Sequence, residues 1–287
     1  MSVSRLEAVA KTMQQQLEPL YGRREASLIT AMCLEKLTGW SAADQKKEAR
    51  TELSEDLLHT LQRYLSDLLG NRPVQYVLEE AWFQGMPFFV QEGVLIPRPE
   101  TEELVEWVAA ALKNAPAGET ILDVGSGSGC IAISLAKKLP QLQLLSVDIS
   151  TTALDIARLN SEKLGIPVNW QLLNFLDAGQ RNTLPPCHCI VSNPPYIPLA
   201  EKANMQQQVV QFEPGLALFV PDDNALLFYA ALADFTRLQL PGTLLFVEIH
   251  EAMAAAVTAL FAQKGLTDMV VKKDMQGKER MIGAVNP

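Results

Sequence analysis

The chain has 287 residues, 48% hydrophobic and 20% charged, with 24 Lys+Arg against 33 Asp+Glu for a formal charge of −9. That length can bury the core of one large domain, or of one large and one small, and the composition is ordinary for a soluble globular protein. The acidic balance is a poor match for a polyanion, because nucleic-acid binders carry a basic footprint, and no run approaches the roughly 18 uninterrupted apolar residues of a membrane span.

The N-terminus, MSVSRLEAVAKTMQQQ, is polar and amphipathic and lacks the apolar core of a signal peptide, so a cytoplasmic location is expected. Residues 1–72 read as helices. Leu17, Leu20, Leu28, Ile29, Met32, Leu34 and Leu37, then Leu53, Leu57, Leu58, Leu61, Leu65, Leu68 and Leu69, recur at helical spacings. Gly39-Trp40-Ser41 breaks the pattern. Residues 1–75 hold ten Lys+Arg and ten Asp+Glu, which leaves 14 and 23 for the remainder, so the acidity lies beyond this stretch. A small neutral bundle without chemical clusters serves either as scaffold or to recognise a partner. Residues 73–97 mix aromatics, β-branched residues and turn formers, which predicts a linker with short strands.

Strands and helices alternate over residues 98–287. A helix through TEELVEWVAAALKNA precedes the strand TILDVGSG, the helix CIAISLAKKL, the strand LQLLSVDIS, the helix TTALDIARLNSEKLG and the strand VNWQLLNF. After CHCIVSN comes a long, partly helical stretch, then the strand TLLFVEIH and the helix EAMAAAVTALFAQKG. This order predicts an α/β domain whose mostly parallel sheet is covered on both faces. DMVVKKD and ERMIGAV flank Met275-Gln276-Gly277-Lys278, which predicts an antiparallel pair at the C-terminus. The cysteines, Cys33, Cys130, Cys187 and Cys189, fit no zinc spacing, since Cys187-His188-Cys189 has no second ligand pair nearby. The Cys187 and Cys189 thiols are expected to pack on one face of a strand, with no metal site and no disulfide framework in the chain.

The first parallel strand runs into Asp123-Val124-Gly125-Ser126-Gly127-Ser128-Gly129-Cys130. Alternate glycines allow a tight turn and close approach of a ligand to the backbone, and the next helix offers its N-terminal N–H groups. A dinucleotide fingerprint would need glycine at position 130, where cysteine stands. Asp148 closes the second strand, 19 residues after Gly129, where a carboxylate can accept two hydrogen bonds from a ribose diol. Together these indicate an adenosine-containing ligand bound by Gly125, Ser126, Gly127, Ser128, Gly129 and Asp148. Asp123 either holds the N–H groups of the turn or faces an amino-acid portion of the ligand. Phe175, after the third strand, reads equally as a core aromatic or as a neighbour of the adenine.

Asn193 closes the fourth strand and is followed by Pro194, Pro195 and Tyr196. A side-chain amide offers one acceptor and two donors in a plane, so it can accept an N–H from another amide or from an exocyclic amino group. Proline orients its surroundings and frees carbonyls, and a tyrosine ring can pack flat on a planar group. The arrangement holds a planar nitrogen without asking for a strong base. That suits methyl transfer from a sulfonium, where placement does most of the work.

With these residues the chain resembles class I S-adenosylmethionine-dependent methyltransferases that carry Asn-Pro-Pro-Tyr for planar-nitrogen methylation. The tetrapeptide is shared by enzymes acting on adenine and on glutamine. The stretch VLIPRPETEELV, residues 94–105, is similar to the segment preceding the catalytic domain of peptide chain release factor glutamine methyltransferases. Pro73-Val74-Gln75-Tyr76, Phe212-Glu213-Pro214, Val247-Glu248-Ile249 and Asp274 to Arg280 match that family too, as does the N-terminal helical domain.

The resemblance implies a Rossmann-like class I methyltransferase domain (98–287) with an antiparallel C-terminal strand, preceded by a helical substrate-recognition domain (1–72). It implies S-adenosylmethionine as cofactor, S-adenosylhomocysteine as product, and the glutamine of the Gly-Gly-Gln tip of class I release factors as substrate. Asn193, Pro194 and Tyr196 become the catalytic set, with Pro195 joining them on the substrate, and Asn193 also touching the cofactor. Arg98 to Thr101 would shape the pocket entrance. Glu79, Ala225 and His250 depart from the family, each standing where glycine is common. The alternatives are a DNA or RNA adenine methyltransferase, a glutamine methyltransferase of ribosomal proteins, whose members usually lack the Arg-Pro-Glu-Thr-Glu wording, and a non-enzymatic cofactor sensor. No nucleic-acid, membrane or metal partner is expected, and the chain is expected to be monomeric.

Overall fold

The computed structural model describes residues 5–287, so the first four residues of the expected helical domain lie outside the described residues. Two compact units emerge, one running up to Glu80 and including Gln207–Phe212, the other comprising Ala81–Gln206 and Glu213–Pro287. The stretch read as a linker is therefore divided at Glu80 between the two units.

In the first unit, α1 (Leu6–Thr38) buries Leu6, Met13 and Leu17, then Ala26, Ile29, Cys33 and Leu34, and is interrupted at Gly22, whose φ of 75° and ψ of 161° are non-helical. It ends at Gly39 in the left-handed region (φ 72°), whose N–H bonds to the Glu35 carbonyl. Ser41 caps α2 (Ala42–Lys47) and Ser54 caps α3 (Glu55–Leu69), each accepting a backbone N–H. The helix α4 (Val74–Leu78) ends at Glu79 with φ 53°. Left-handed backbone favours glycine, which accounts physically for the glycine that the resemblance leads one to expect at this position.

The second unit opens with a hairpin, β1 (Ala81–Phe83) and β2 (Met86–Phe88), closed by Gln84 and Gly85 with φ of 50° and 67°. Positive φ at both central residues is what a tight two-residue hairpin turn requires. Then follow α5 (Pro99–Leu112), β3 (Thr120–Val124), α6 (Cys130–Lys138), β4 (Gln143–Asp148), α7 (Thr151–Leu164), β5 (Asn169–Leu172), α8 (Ala178–Arg181) and β6 (Cys189–Ser192). A short strand β7 (Ile197–Pro198), the helix α9 (Gln207–Phe212, in the first unit), α10 (Gly215–Leu218) and β8 (Phe219–Val220) fill the partly helical stretch. The chain ends with α11 (Leu227–Arg237), β9 (Leu244–Glu248), α12 (Ala254–Gln263), β10 (Thr267–Lys273) and β11 (Glu279–Val285).

Seven strands form one sheet in the order β10-β11-β9-β6-β3-β4-β5. The five from β9 to β5 are parallel, and β11 runs antiparallel to both β9 and β10, as the C-terminal pattern predicts. Burial on both faces explains why the strands read as apolar runs. Leu122, Ile190, Leu245 and Val247 enter one core cluster, while Ile121, Cys189, Val191 and Phe246 enter the other. Cys187 and Cys189 are both buried but lie in different clusters, not on one face as expected, because β6 begins only at Cys189.

Candidate active site

Parallel neighbours put the C-terminal ends of β4, β3, β6 and β9 on one sheet edge, where open α/β sheets bind ligands. The loop after β3 takes positive φ at Gly125 (91°), Gly127 (52°) and Gly129 (83°). The N–H groups of Gly125 and Ser126 both donate to the Val147 carbonyl at 2.9 and 3.1 Å, which folds the loop against the end of β4. A Cβ on Gly125 or Gly127 would meet nothing within 4 Å, whereas one on Gly129 would lie 2.9 Å from the Trp170 ring and 3.1 Å from Ala157 and Ile133. The first two glycines thus give the turn its shape beside open space. Gly129 lets α6 approach the sheet and α7 closely, and it does not line the cavity.

Asp148 does line it, accepting the Gly127 N–H on Oδ2 (3.0 Å) and the Ser150 N–H on Oδ1 (2.8 Å). Burial raises its pKa against the lowering effect of those two donors. Asp123, expected at the cofactor, lies under the loop and off the cavity wall. Its Oδ2 accepts from Ser146 Oγ, which also contacts Ser126 Oγ, each at 2.7 Å. Its Oδ1 has no partner, and burial, with the Asp148 charge adding, pushes the carboxyl up to about 7.

The cavity, of about 260 Å³, is walled by Gly125 to Ser128, Asp148, Phe175, Asn193, Pro194 and Pro195. Phe175 is both core and wall, packed edge-on against Phe235 at 5.5 Å. Tyr196 does not line this cavity. It packs against the core, with its hydroxyl 3.4 Å from Glu248 Oε1. The wall also includes Val94, Leu95, Ile149, Leu176, Leu216 and Phe228, which sequence reasoning did not single out as site residues. Their only signal is apolarity, in loops after strands for Val94, Leu95, Ile149 and Leu176 and at the starts of α10 and α11 for Leu216 and Phe228.

Two further contacts were missed. Thr101 is buried on α5 and, with Arg98, lines the cavity. Its hydroxyl donates to Glu248 Oε2 at 2.6 Å and accepts from Asn193 Nδ2 at 3.0 Å. Arg98 Nη2 meets Glu213 Oε1 at 2.6 Å, and the Ile96 N–H donates to Glu213 Oε2 at 3.3 Å. This pair ties the 94–98 strip to the 213–217 strip, and both face the cavity.

The donor set fits a nucleoside carrying a polar tail. A carboxylate with spare lone pairs lies on Asp148, apolar side chains offer a flat surface, and a glycine turn leaves room for close approach. The buried Ser128 Oγ on the same wall has no protein partner. A polar atom held so deep without a bond calls for one from a ligand.

Comparison with known proteins bears on the fold and the family. Residues 102–212 match the family described as Methyltransferase small domain. The hMettl16 catalytic domain, solved in complex with a MAT2A 3'UTR hairpin, shares the fold with a TM-score of 0.56 and 15% identity, over 71% of this chain and 76% of that one. Fold and site thus define a class I methyltransferase. Two proteins named release factor glutamine methyltransferase are much closer in sequence. The one from Bacteroides thetaiotaomicron is 38% identical over 95% of this chain and 97% of its own length. That from Flavobacterium psychrophilum is 40% identical over 76% of this chain and 77% of its own. The chain belongs to the release factor glutamine methyltransferase family.

Proposed function

We propose that this protein methylates the side-chain amide nitrogen of the glutamine in the Gly-Gly-Gln motif of class I peptide chain release factors, with S-adenosylmethionine as donor. The observation that carries the reading is that Asn193 and Pro194 share one cavity with Asp148 and the glycine turn, within a chain that belongs to this family. Asp148 would hold the ribose, Gly125 to Ser128 the polar tail, and Phe175 with Ile149 and Leu176 the adenine. Bound there, S-adenosylmethionine supplies a methyl group already activated by its sulfonium.

The residues of the chain then have a positioning task. Asn193 Oδ1 and the Pro194 carbonyl accept the two protons of the substrate amide. An amide lone pair is delocalised, and acceptors on both protons favour charge on nitrogen as attack proceeds. Each such bond contributes about 2–4 kcal/mol in the transition state, by analogy with an oxyanion-hole donor. Tyr196 supports this wall from behind. The first unit is assigned to recognition of the release factor, and the net charge of −9 argues against a nucleic-acid substrate.

The test is labelled-methyl transfer offered in parallel to a purified class I release factor, ribosomal proteins and DNA. Label is expected in the release factor, and label confined to DNA or ribosomal protein would overturn the assignment. Asn193→Ala should abolish transfer while leaving cofactor affinity within about threefold, because the acceptor it removes serves the substrate amide, and Asp148 with the glycine turn keeps most of the cofactor's contacts.

A further inference from the structure

A planar side-chain amide keeps its shape when it is turned over, yet the turn exchanges an acceptor for two donors. A site that must accept protons from a substrate amide therefore needs something to choose the orientation of Asn193. We propose that Glu248, acting through Thr101, makes that choice and holds the Asn193 carbonyl toward the cavity. The inference rests on the reading of Asn193 as acceptor for the substrate amide.

The argument is a count of protons along a buried chain. The Thr101 hydroxyl has one hydrogen, and an ionised carboxylate only accepts. With Thr101 Oγ1 at 2.6 Å from Glu248 Oε2, that hydrogen goes to Glu248. What remains on Oγ1 is lone pairs, so its other neighbour, at 3.0 Å, must donate, and Nδ2 of Asn193 does. Oδ1, at the opposite end of the amide, is left to the cavity that Asn193 lines.

Glu248 does not line the cavity and has no other evident task. It is 2% exposed, and a buried carboxylate is costly to keep. Its surroundings are nevertheless arranged around it. Arg280 from β11 attracts it, Glu100 near the start of α5 opposes it, Tyr196 faces Oε1, and Tyr229 from α11 donates to its backbone carbonyl at 3.0 Å. Adding a proton to Glu248 would reverse the chain. The carboxyl would donate to Thr101, Thr101 to Asn193, and the Asn193 NH₂ would face the substrate NH₂. Thr101 and Glu248 are thus positioning residues.

The experiment measures kcat and KM for a whole release factor, S-adenosylmethionine affinity by calorimetry, and thermal unfolding. It compares wild type with Thr101→Val, Thr101→Ser and Asn193→Ala. Thr101→Val keeps the shape and removes the relay. It should lower kcat roughly tenfold or more, with cofactor affinity within about twofold, because Nδ2 would then seek its partner in the cavity. Thr101→Ser keeps the hydroxyl and should restore kcat to within about threefold of wild type. Should Thr101→Val not fold, Thr101→Ala is read in its place against the same serine rescue. A valine or alanine variant with kcat within about twofold of wild type, beside an inactive Asn193→Ala, overturns the relay alone. Near-normal turnover of Asn193→Ala overturns the parent reading instead.

Discussion

Asp148 accepts one backbone N–H on each oxygen and, as a carboxylate, still has lone pairs for two more donors. Asp148→Ala should weaken S-adenosylmethionine binding by roughly a hundredfold or more in calorimetry, the loss of about two hydrogen bonds to a charged group. Unchanged affinity would contradict the ribose role. Asp123 and Glu248 make the same demand of stability on pH, and Glu248 makes the opposite one of turnover. Burial raises both to about 7, from ordinary values of 3.8 and 4.5. The stability linked to a raised carboxyl is complete below its ordinary value and is lost as pH rises through the folded one. Tm should therefore fall from about pH 4 to about 7 and level off above, with a shallower slope in Asp123→Asn. Turnover should rise from about pH 6 to about 8, through the folded value of Glu248, which must be ionised to take the Thr101 proton. Asp148 and Asn193 were legible because each is a polar residue ending an apolar run. The bond between Thr101 and Glu248 was not, although both residues stood in stretches the resemblance picked out, because it spans 147 positions.

At the scale of elements, two backbone positions make predictions of opposite sign. Glu79 holds φ 53° at the end of α4, and Glu79→Gly should stabilise the chain by about 1 kcal/mol, read from denaturant midpoints. Gly129→Ala should destabilise it by about 2 kcal/mol or more, because the new methyl meets Trp170, Ala157 and Ile133 at a φ of 83°. The parallel sheet, its covering helices and the antiparallel end were legible, since two-sided burial and short helical periods leave a clear pattern. The stretch from Pro198 to Val220 was not. It holds short elements whose place is set by tertiary bonds such as Arg98–Glu213, so local periodicity is silent there.

For the whole molecule, the division at Glu80 gives the helical unit a testable task. A chain lacking residues 1–70 should show a KM for an intact release factor raised far more than that for a short Gly-Gly-Gln peptide. Equal increases would assign the bundle to scaffolding alone. Because Gln207–Phe212 belongs to the helical unit, the peptide also controls for any disturbance of the catalytic unit. The bond between Arg98 and Glu213 has a consequence in time rather than affinity. Glu213 is buried, and its one carboxylate holds both the Arg98 guanidinium and the Ile96 amide, so two loop strips depend on a single group. Strips of that kind open as a local unit before the strands beneath them. In hydrogen–deuterium exchange the Ile96 amide should exchange well ahead of β6. Added salt should hasten it only in part, because the Arg98 side chain is 33% exposed while Glu213 is buried, and Glu213→Gln should hasten it without touching the strand. The residence time of the cofactor would then be timed by this one latch, while the sheet that holds the reacting groups stays closed.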